Sequence, residues 1–347
     1  MNALVVLLLL LLSSFQADVS ASHASVNRYI ASEIKKYDVP GVAVAFVIDG
    51  QGYLFCYGLA DIDQRVPVTP NTLFDIASIT KVFTTTDMAL QIESGKMFLT
   101  DSIAKYLSGI SKTSPVAKIT LGNLATHTSS LPRGVPRDYD TQKMYDFLDR
   151  WQPPYQVGSK YVYSNLGFWL LRYALEEVEQ KPYQEILEDE LFKPLGMTST
   201  MIIVPQSDQY RYATGYSQNG ARAEHRPLGP GGGSLKSTAS DMLRFLNLNL
   251  GNSGSKKLQE AVLIAQSGQY KVNEHLIMGL GWQRFEKEGL LYIDKNGGVP
   301  GFSSYIGIIP SKKIGIVILA NKVKVPCTKI GRDILDHFAR DTLGQKY

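Results

Sequence analysis

The stretch FSSYIGIIPSKKIGIVILA, Phe302–Ala320, sets two apolar, β-branched runs on either side of Pro310-Ser311-Lys312-Lys313. Strand formers around a short turn predict an antiparallel hairpin, Phe302–Ile309 with Ile314–Ala320. Near the other end of the chain, Gly41–Ile48 and Tyr53–Leu59 flank Asp49-Gly50. That dipeptide is a strong signal for a tight hairpin turn. Leu290–Ile293 predicts a further strand beside Phe302–Ile309. An isolated hairpin is marginal in water, so one antiparallel sheet assembled from both chain ends is expected. Val26–Lys36 and Thr328–Thr342 carry helical spacing and would cap that sheet. Between the ends, apolar periodicity predicts helices over Lys81–Ser94, Leu121–Thr126, Thr141–Trp151, Gly167–Glu179, Tyr183–Leu191 and Ala239–Leu248. The fold class is therefore α+β: a sheet flanked by helices, with an all-helical domain inserted. The expected division is an α/β lobe at about 22–62 and 275–347 and a helical lobe at about 63–274. Pockets favour such junctions.

The 347 residues are 44% hydrophobic, and 36 Lys+Arg against 32 Asp+Glu leave a net charge of +4. That balance excludes a disordered chain and weighs against nucleic acid as a partner. Ala3–Leu12 is an unbroken apolar run, too short to span a bilayer as a helix. With Val19-Ser20-Ala21 after it, the run reads as a signal peptide over residues 1–21, cut after Ala21. A periplasmic or secreted protein without a stable transmembrane anchor is expected. Cys56 and Cys327 show no C-x-x-C spacing. They read as two inert buried thiols, or as one disulfide if the chain ends meet.

Several chemistries are absent from the sequence: G-x-x-x-x-G-K-[ST], H-E-x-x-H, C-x-x-C and G-x-S-x-G do not occur. His23, His127, His225, His275 and His337 are scattered without ligand spacing, and Gly229–Gly233 reads as a plain loop. What remains is Ser78-Ile79-Thr80-Lys81. Three other S-x-x-K matches begin at Ser32, Ser102 and Ser253, but only the Ser78 match opens an apolar, Thr-rich helix. Residues i and i+3 share a helix face, so Lys81 can reach the Ser78 hydroxyl. The alternative is that Ser78 only caps the helix. A serine nucleophile needs a group to take its proton. Without a placed histidine, that group must be a lysine or a tyrosine of depressed pKa. Tyr163-Ser164-Asn165 and Lys295-Asn296-Gly297-Gly298 offer both residue types, although a structural tyrosine and a turn lysine would look the same singly.

In the order S-x-x-K, Y-x-N and Lys-x-Gly, the chain resembles the serine penicillin-recognising hydrolases. It is most similar to their class C β-lactamase branch, which includes related penicillin-binding D-alanyl-D-alanine carboxypeptidases, endopeptidases and esterases. The likeness extends over Pro40–Val44, Leu124–Thr128 with Leu131-Pro132, Lys193–Met197, Lys236–Thr238 with Asp241-Met242, Gly279–Trp282 and Ile316–Lys322. The resemblance implies a β-lactamase/transpeptidase-like fold and roles by position. Ser78 would be acylated, and Lys81 and Tyr163 would share the proton work. Asn165 would bind the substrate amide and hold Lys81. Lys295 would lower the Tyr163 pKa and attract the substrate carboxylate, with Asn296 and Gly297 beside it. The N–H groups of Ser78 and Gly298 would form the oxyanion hole. The implied activity is hydrolysis of β-lactams. The alternatives are cleavage of D-Ala-D-Ala stem peptides of peptidoglycan, small-ester hydrolysis, or noncatalytic binding of the same ligands. No metal or cofactor is implied, and a monomer is expected. Three departures stand out: Asn296 replaces the usual threonine of the third motif, only Gln283–Asp294 separates Trp282 from Lys295, and Arg133-Gly134-Val135 stands where a substrate-facing glutamine is common.

Overall fold

A computed structural model of the chain describes residues 23–134, 141–224, 229 and 231–344. The signal peptide expected at 1–21, Val135 and His225 lie outside the described residues. The strands are β1 (Gly41–Ile48), β2 (Gln51–Asp61), β3 (Val66–Pro67), β4 (Phe74–Asp75), β5 (Lys236–Ser237), β6 (Tyr270–Lys271), β7 (Ile277–Met278), β8 (Gln283–Lys287), β9 (Leu290–Val299), β10 (Phe302–Ile309) and β11 (Ile314–Ala320). The helices are α1 (residues 23–34), α2 (Thr80–Glu93), α3 (Leu121–Ala125), α4 (Thr141–Arg150), α5 (Asn165–Glu179), α6 (Tyr183–Leu187), α7 (Lys193–Leu195), α8 (Ala239–Asn249), α9 (Lys256–Gln266) and α10 (Cys327–Gly344).

Nine strands form one antiparallel sheet in the order β3-β2-β1-β11-β10-β9-β8-β7-β6. The two hairpins expected from the chain ends meet at its centre, where β1 pairs with β11 from Val42↔Ala320 to Ile48↔Ile314. Asp49 and Gly50 both take positive φ, as a two-residue hairpin turn of matching twist requires. Strands β10 and β11 are buried along their whole length because both faces are covered. Alternate residues serve the two layers. Ala43, Ala45, Ile306, Ile308, Val317 and Leu319 pack towards the inserted helices. Val42, Val44, Phe46, Tyr305, Ile316 and Ile318 pack against Val26, Ile30 and Ile34 of α1 and Ile330, Ile334 and Phe338 of α10.

This layering separates the two cysteines. Cys56 packs into the layer on the inserted-helix side and Cys327 belongs to the opposite layer, so the sheet stands between them. Both are free, which excludes the disulfide and leaves the two thiols. Burial pushes them up, Cys56 to about 11 and Cys327 to about 12, so neither is a ready thiolate.

Other departures from the sequence reading have local reasons. Strand β9 runs on through Lys295–Val299, a stretch that reads as a turn, because β10 pairs with it as far as Phe302↔Val299. The helix expected over Tyr183–Leu191 is α6 followed by a π-turn at Glu188–Phe192. Helix α9 and strand β8 were not expected, although Leu258, Ala261, Val262 and Ala265 lie at helical spacing and are buried.

Helix α2 is buried from Thr80 to Gln91 and forms the centre of the helical layer. A helix buried on all sides must satisfy its polar groups internally. Thr84 Oγ1 donates to Gly231 O, Thr85 Oγ1 to Leu280 O and Thr86 Oγ1 to Val82 O, each at 2.7 Å. Gly281 (φ +73°) lies against α2, where a Cβ would be 3.1 Å from Thr85 Oγ1, and its N–H donates to Ala125 O of α3. Asp87 is the exception in this helix. Its Oδ1 accepts a 3.3 Å bond from Gln91, but its Oδ2 has no partner. Burial pushes its carboxyl up from 3.8 to about 7. Between about pH 4 and 7 the unfolded chain has released this proton while the folded chain retains it. Stability therefore falls as pH rises, by up to about 1.4 kcal/mol per pH unit from this group. We expect Asp87→Asn to flatten that decline. Denaturant unfolding from pH 4 to 8 measures it, and parallel curves for the two proteins would contradict the assignment.

Candidate active site

Three segments from separate parts of the chain meet where the helical layer borders β9. The first begins at β4, where Phe74-Asp75 pairs with Ser237-Lys236 of β5. Ala77 then adopts φ +50°, which costs an L-residue about 1–2 kcal/mol, and a 3-10 turn over Ala77–Ile79 leads into α2. Ser78 lies in this turn. The N-cap of α2 is Ile79, with no side-chain cap bond. Capping therefore does not occupy the Ser78 hydroxyl, contrary to the alternative weighed from sequence. Lys81 follows one turn later, fully buried, with Nζ 3.4 Å from Ser78 Oγ.

The second segment is Tyr163–Asn165. Ser164 caps α5 by accepting from Gly167 N, and its hydroxyl donates to Pro132 O. Asn165 N donates to Arg133 O at 2.7 Å. Held in this way, Tyr163 O–H donates to Ser78 Oγ at 2.8 Å. On the same side, Asn165 Oδ1 accepts from Lys81 Nζ at 2.7 Å.

The third segment is the far half of β9. Strand β8 pairs with β9 only from Leu290 to Asp294, so no described strand covers Lys295–Val299 on that edge. Gly297 lets this half approach the Ser78 turn: a Cβ there would lie 2.6 Å from Ile76 O. Ser304 Oγ, on β10, donates to the same carbonyl at 2.8 Å. Lys295 is buried, and its Nζ sits 5.1 Å from the Tyr163 ring centre. Asn296 and Gly298 are exposed on the alternate positions, and a Cβ at Gly298 would meet nothing within 4 Å.

The structure thus brings Ser78, Lys81, Tyr163, Asn165 and Lys295 together, with Asn296, Gly297 and Gly298 on the adjoining strand edge. It also adds Gly232 and His127, to which the sequence assigns no role, and brings in Arg133, known from the sequence only as a departure from the family pattern. Gly232 O accepts a short hydrogen bond from Lys81 Nζ. His127 is fully buried, its ring 4.3 Å from that of Tyr163, and its Nδ1 accepts from Ser164 N. Burial, then Lys295 and Lys81, hold His127 well below its usual pKa, so it is a neutral packing partner. Arg133 places its guanidinium 5.5 Å from the Tyr163 ring centre. Two of the other S-x-x-K serines spend their hydroxyls locally: Ser32 donates to Tyr29 O, and Ser102 caps a 3-10 turn and donates to Ala117 O.

The electrostatics correct one expectation. Lys295 was expected to lower the Tyr163 pKa. Instead, loss of water around the phenol pushes it up to about 12, outweighing its bond with Ser78 and the nearby Arg133. The depressed groups are the lysines. Burial holds Lys81 well below its usual value, helped by the charges of Lys295 and Arg133. Burial brings Lys295 down to about 8, with Asp294 opposing. This arrangement sets a phenol held protonated at neutral pH and two lysines that lose their protons more readily than usual around one serine hydroxyl.

An antiparallel sheet with a helical layer, and a lysine-flanked serine at their border, is the architecture of a class of serine hydrolases. The β-lactamase family profile matches residues 26–337, and the chain belongs to that family. It is 31% identical to the β-lactamase of Lysobacter lactamgenus over 94% of this chain and 92% of that protein. It is 30% identical to the β-lactamase of Yersinia enterocolitica, covering 86% of each. Among solved structures it is similar to a class C β-lactamase in complex with cefoxitin (TM-score 0.86, 28% identity, 91% of this chain and 99% of that one). It is also similar to the β-lactamase/D-alanine carboxypeptidase from Pseudomonas syringae (TM-score 0.84, 27% identity, 91% and 99%). The family and α+β fold implied by the motifs are borne out. Among the described residues no helix is long and apolar enough to cross a membrane.

Proposed function

We propose that the protein hydrolyses β-lactams through an acyl-enzyme on Ser78. The observation that carries this reading is the pair of contacts on one hydroxyl: Tyr163 O–H at 2.8 Å and Lys81 Nζ at 3.4 Å. A neutral amine has two N–H bonds and one lone pair. Lys81 Nζ donates to Asn165 Oδ1 and Gly232 O, so once it has lost its third proton, its lone pair is left for Ser78. Lys81 takes the hydroxyl proton as Oγ bonds to the lactam carbonyl carbon. The N–H groups of Ser78 and Gly298 receive the oxyanion. As the C–N bond breaks, Tyr163 gives its proton to the leaving nitrogen, and the Lys81 ammonium restores the phenol. Water then cleaves the ester and regenerates Ser78. Lys295, with Asn296 and Gly297 beside it, holds the substrate carboxylate, while Asn165 binds the substrate amide.

A second reading is D-Ala-D-Ala carboxypeptidase activity, favoured by likeness to a protein named for both activities. The acylation step is common to the two, and deacylation separates them. Intact mass measured over time with a cephalosporin is the test. A transient adduct with released product supports the lactamase, a persistent adduct with D-Ala-D-Ala cleavage supports the peptidase, and no adduct overturns both. The same reading includes export after loss of residues 1–21, a monomer, and a catalytic unit of two lobes.

The lysines predict the pH profile. Lys295 must be charged to hold a carboxylate, so kcat/KM for a carboxylate-bearing β-lactam should fall above about pH 8. Lys295→Arg keeps the charge and should carry that limb upward. A limb that stays in place would remove Lys295 as the anchor.

A further inference from the structure

Arg133 is the site cation to which the proposed chemistry assigns no task. It is exposed, and its guanidinium lies 5.5 Å from the centre of the ring whose hydroxyl contacts Ser78. It is not on a loose tip. Its carbonyl accepts from Asn165 N, and that of Pro132 accepts from Ser164 Oγ, so the backbone is tied to the segment carrying Tyr163 and Asn165. Among the described residues no carboxylate pairs with it; the same holds for Arg28, Arg65, Arg150 and Arg284, but of these Arg133 alone lies over the Tyr163 ring. The guanidinium is planar and donates in a fixed fork that fits a carboxylate better than any neutral acceptor.

We propose that Arg133 is a second anion anchor of this site, and that the preferred acyl donors carry a carboxylate on their acyl portion. The inference rests on the Ser78 reading above. The two anchors lie on separate elements. Lys295 is on the β9 edge and takes the carboxylate beyond the scissile bond. Arg133 is beside Asn165, which binds the amide of the acyl side. Both cations lie within 5.5 Å of the Tyr163 ring centre, so a substrate that acylates Ser78 meets the two together, and the favoured molecule is a dianion. Two sources share this chemistry: a β-lactam with a carboxylated side chain, and a peptide or depsipeptide whose acyl group bears an acidic side chain.

The test compares matched pairs: a penicillin with a side-chain carboxylate against its side-chain methyl ester, and a depsipeptide with a glutaryl acyl group against its methyl ester. For each pair the ratio of kcat/KM, acid over ester, is measured in the full protein and in Arg133→Gln and Arg133→Lys. The wild-type ratio should exceed one and shrink with added salt. Arg133→Gln should lower it on the order of tenfold, the scale of one partly solvated charge-assisted bond. Arg133→Lys should retain part of it. A purely electrostatic action on Lys81 would instead scale both members of a pair together and leave the ratio unmoved. A lowered ratio in either pair supports the anchor and identifies the source. Adduct formation with unchanged ratios in both pairs overturns the anchor alone. Absence of any adduct on Ser78 overturns the anchor together with the reading beneath it.

Discussion

Ser78→Ala is expected to abolish the covalent adduct with a labelled penicillin and to lower turnover by about 10⁶, the scale seen when an acyl-enzyme nucleophile is removed. The structure explains why this should be a clean loss. The Ser78 hydroxyl contacts Tyr163 and Lys81 but does not cap α2, whose N-cap is Ile79. Helix α2 itself is held by buried packing and by Thr84, Thr85 and Thr86. Thermal unfolding should therefore stay within a few degrees of the parent. Retained labelling at unchanged stoichiometry would place the nucleophile elsewhere. A collapsed melting temperature would show instead that the hydroxyl serves the fold.

Tyr163→Phe is expected to slow turnover by about 10²–10⁴, the usual contribution of a positioned acid or base. A phenol held near 12 remains protonated at working pH, so its task is to donate to the leaving nitrogen. The loss should then depend on the leaving group. An amide nitrogen needs that proton, whereas an activated aryl ester departs without it, so the ester should lose far less. The phenylalanine ring can keep the contacts with His127 and the nearby cations, which lie on the ring rather than the hydroxyl. Equal losses on amide and activated ester would mean that Tyr163 only positions Ser78. Unchanged kinetics would remove it from the mechanism.

The parts of the molecule that were legible in the sequence carry their signal in side-chain pattern. Strands β1, β10 and β11 are apolar on both faces because both faces are covered, and Asp49-Gly50 marks its own turn. Ser78, Tyr163 and Lys295 were legible through their order along the chain. Gly232 was not, because it acts through a carbonyl that every residue possesses. His127 shows no ligand spacing in the sequence; its place depends on burial beside Tyr163. The Lys-Asn-Gly-Gly run reads as a turn, since Asn and Gly are poor strand formers. Pairing with β10 overrides that preference. The Tyr163 pKa is hidden from the sequence for a related reason. Sequence shows which cations are available, but the removal of water decides the sign.

The half of β9 that no described strand covers has a consequence beyond substrate access. A row of uncovered backbone donors and acceptors invites a strand from another chain and, with it, aggregation. Here the exposed stretch is short. It contains an inward-pointing lysine and is closed by Pro300, which lacks an N–H to extend the ladder. A foreign strand lying on this edge would enclose the Lys295 ammonium without neutralising it. An acyl donor with a carboxylate brings its own countercharge, so the residue proposed to anchor substrate also guards a sticky edge against intruders.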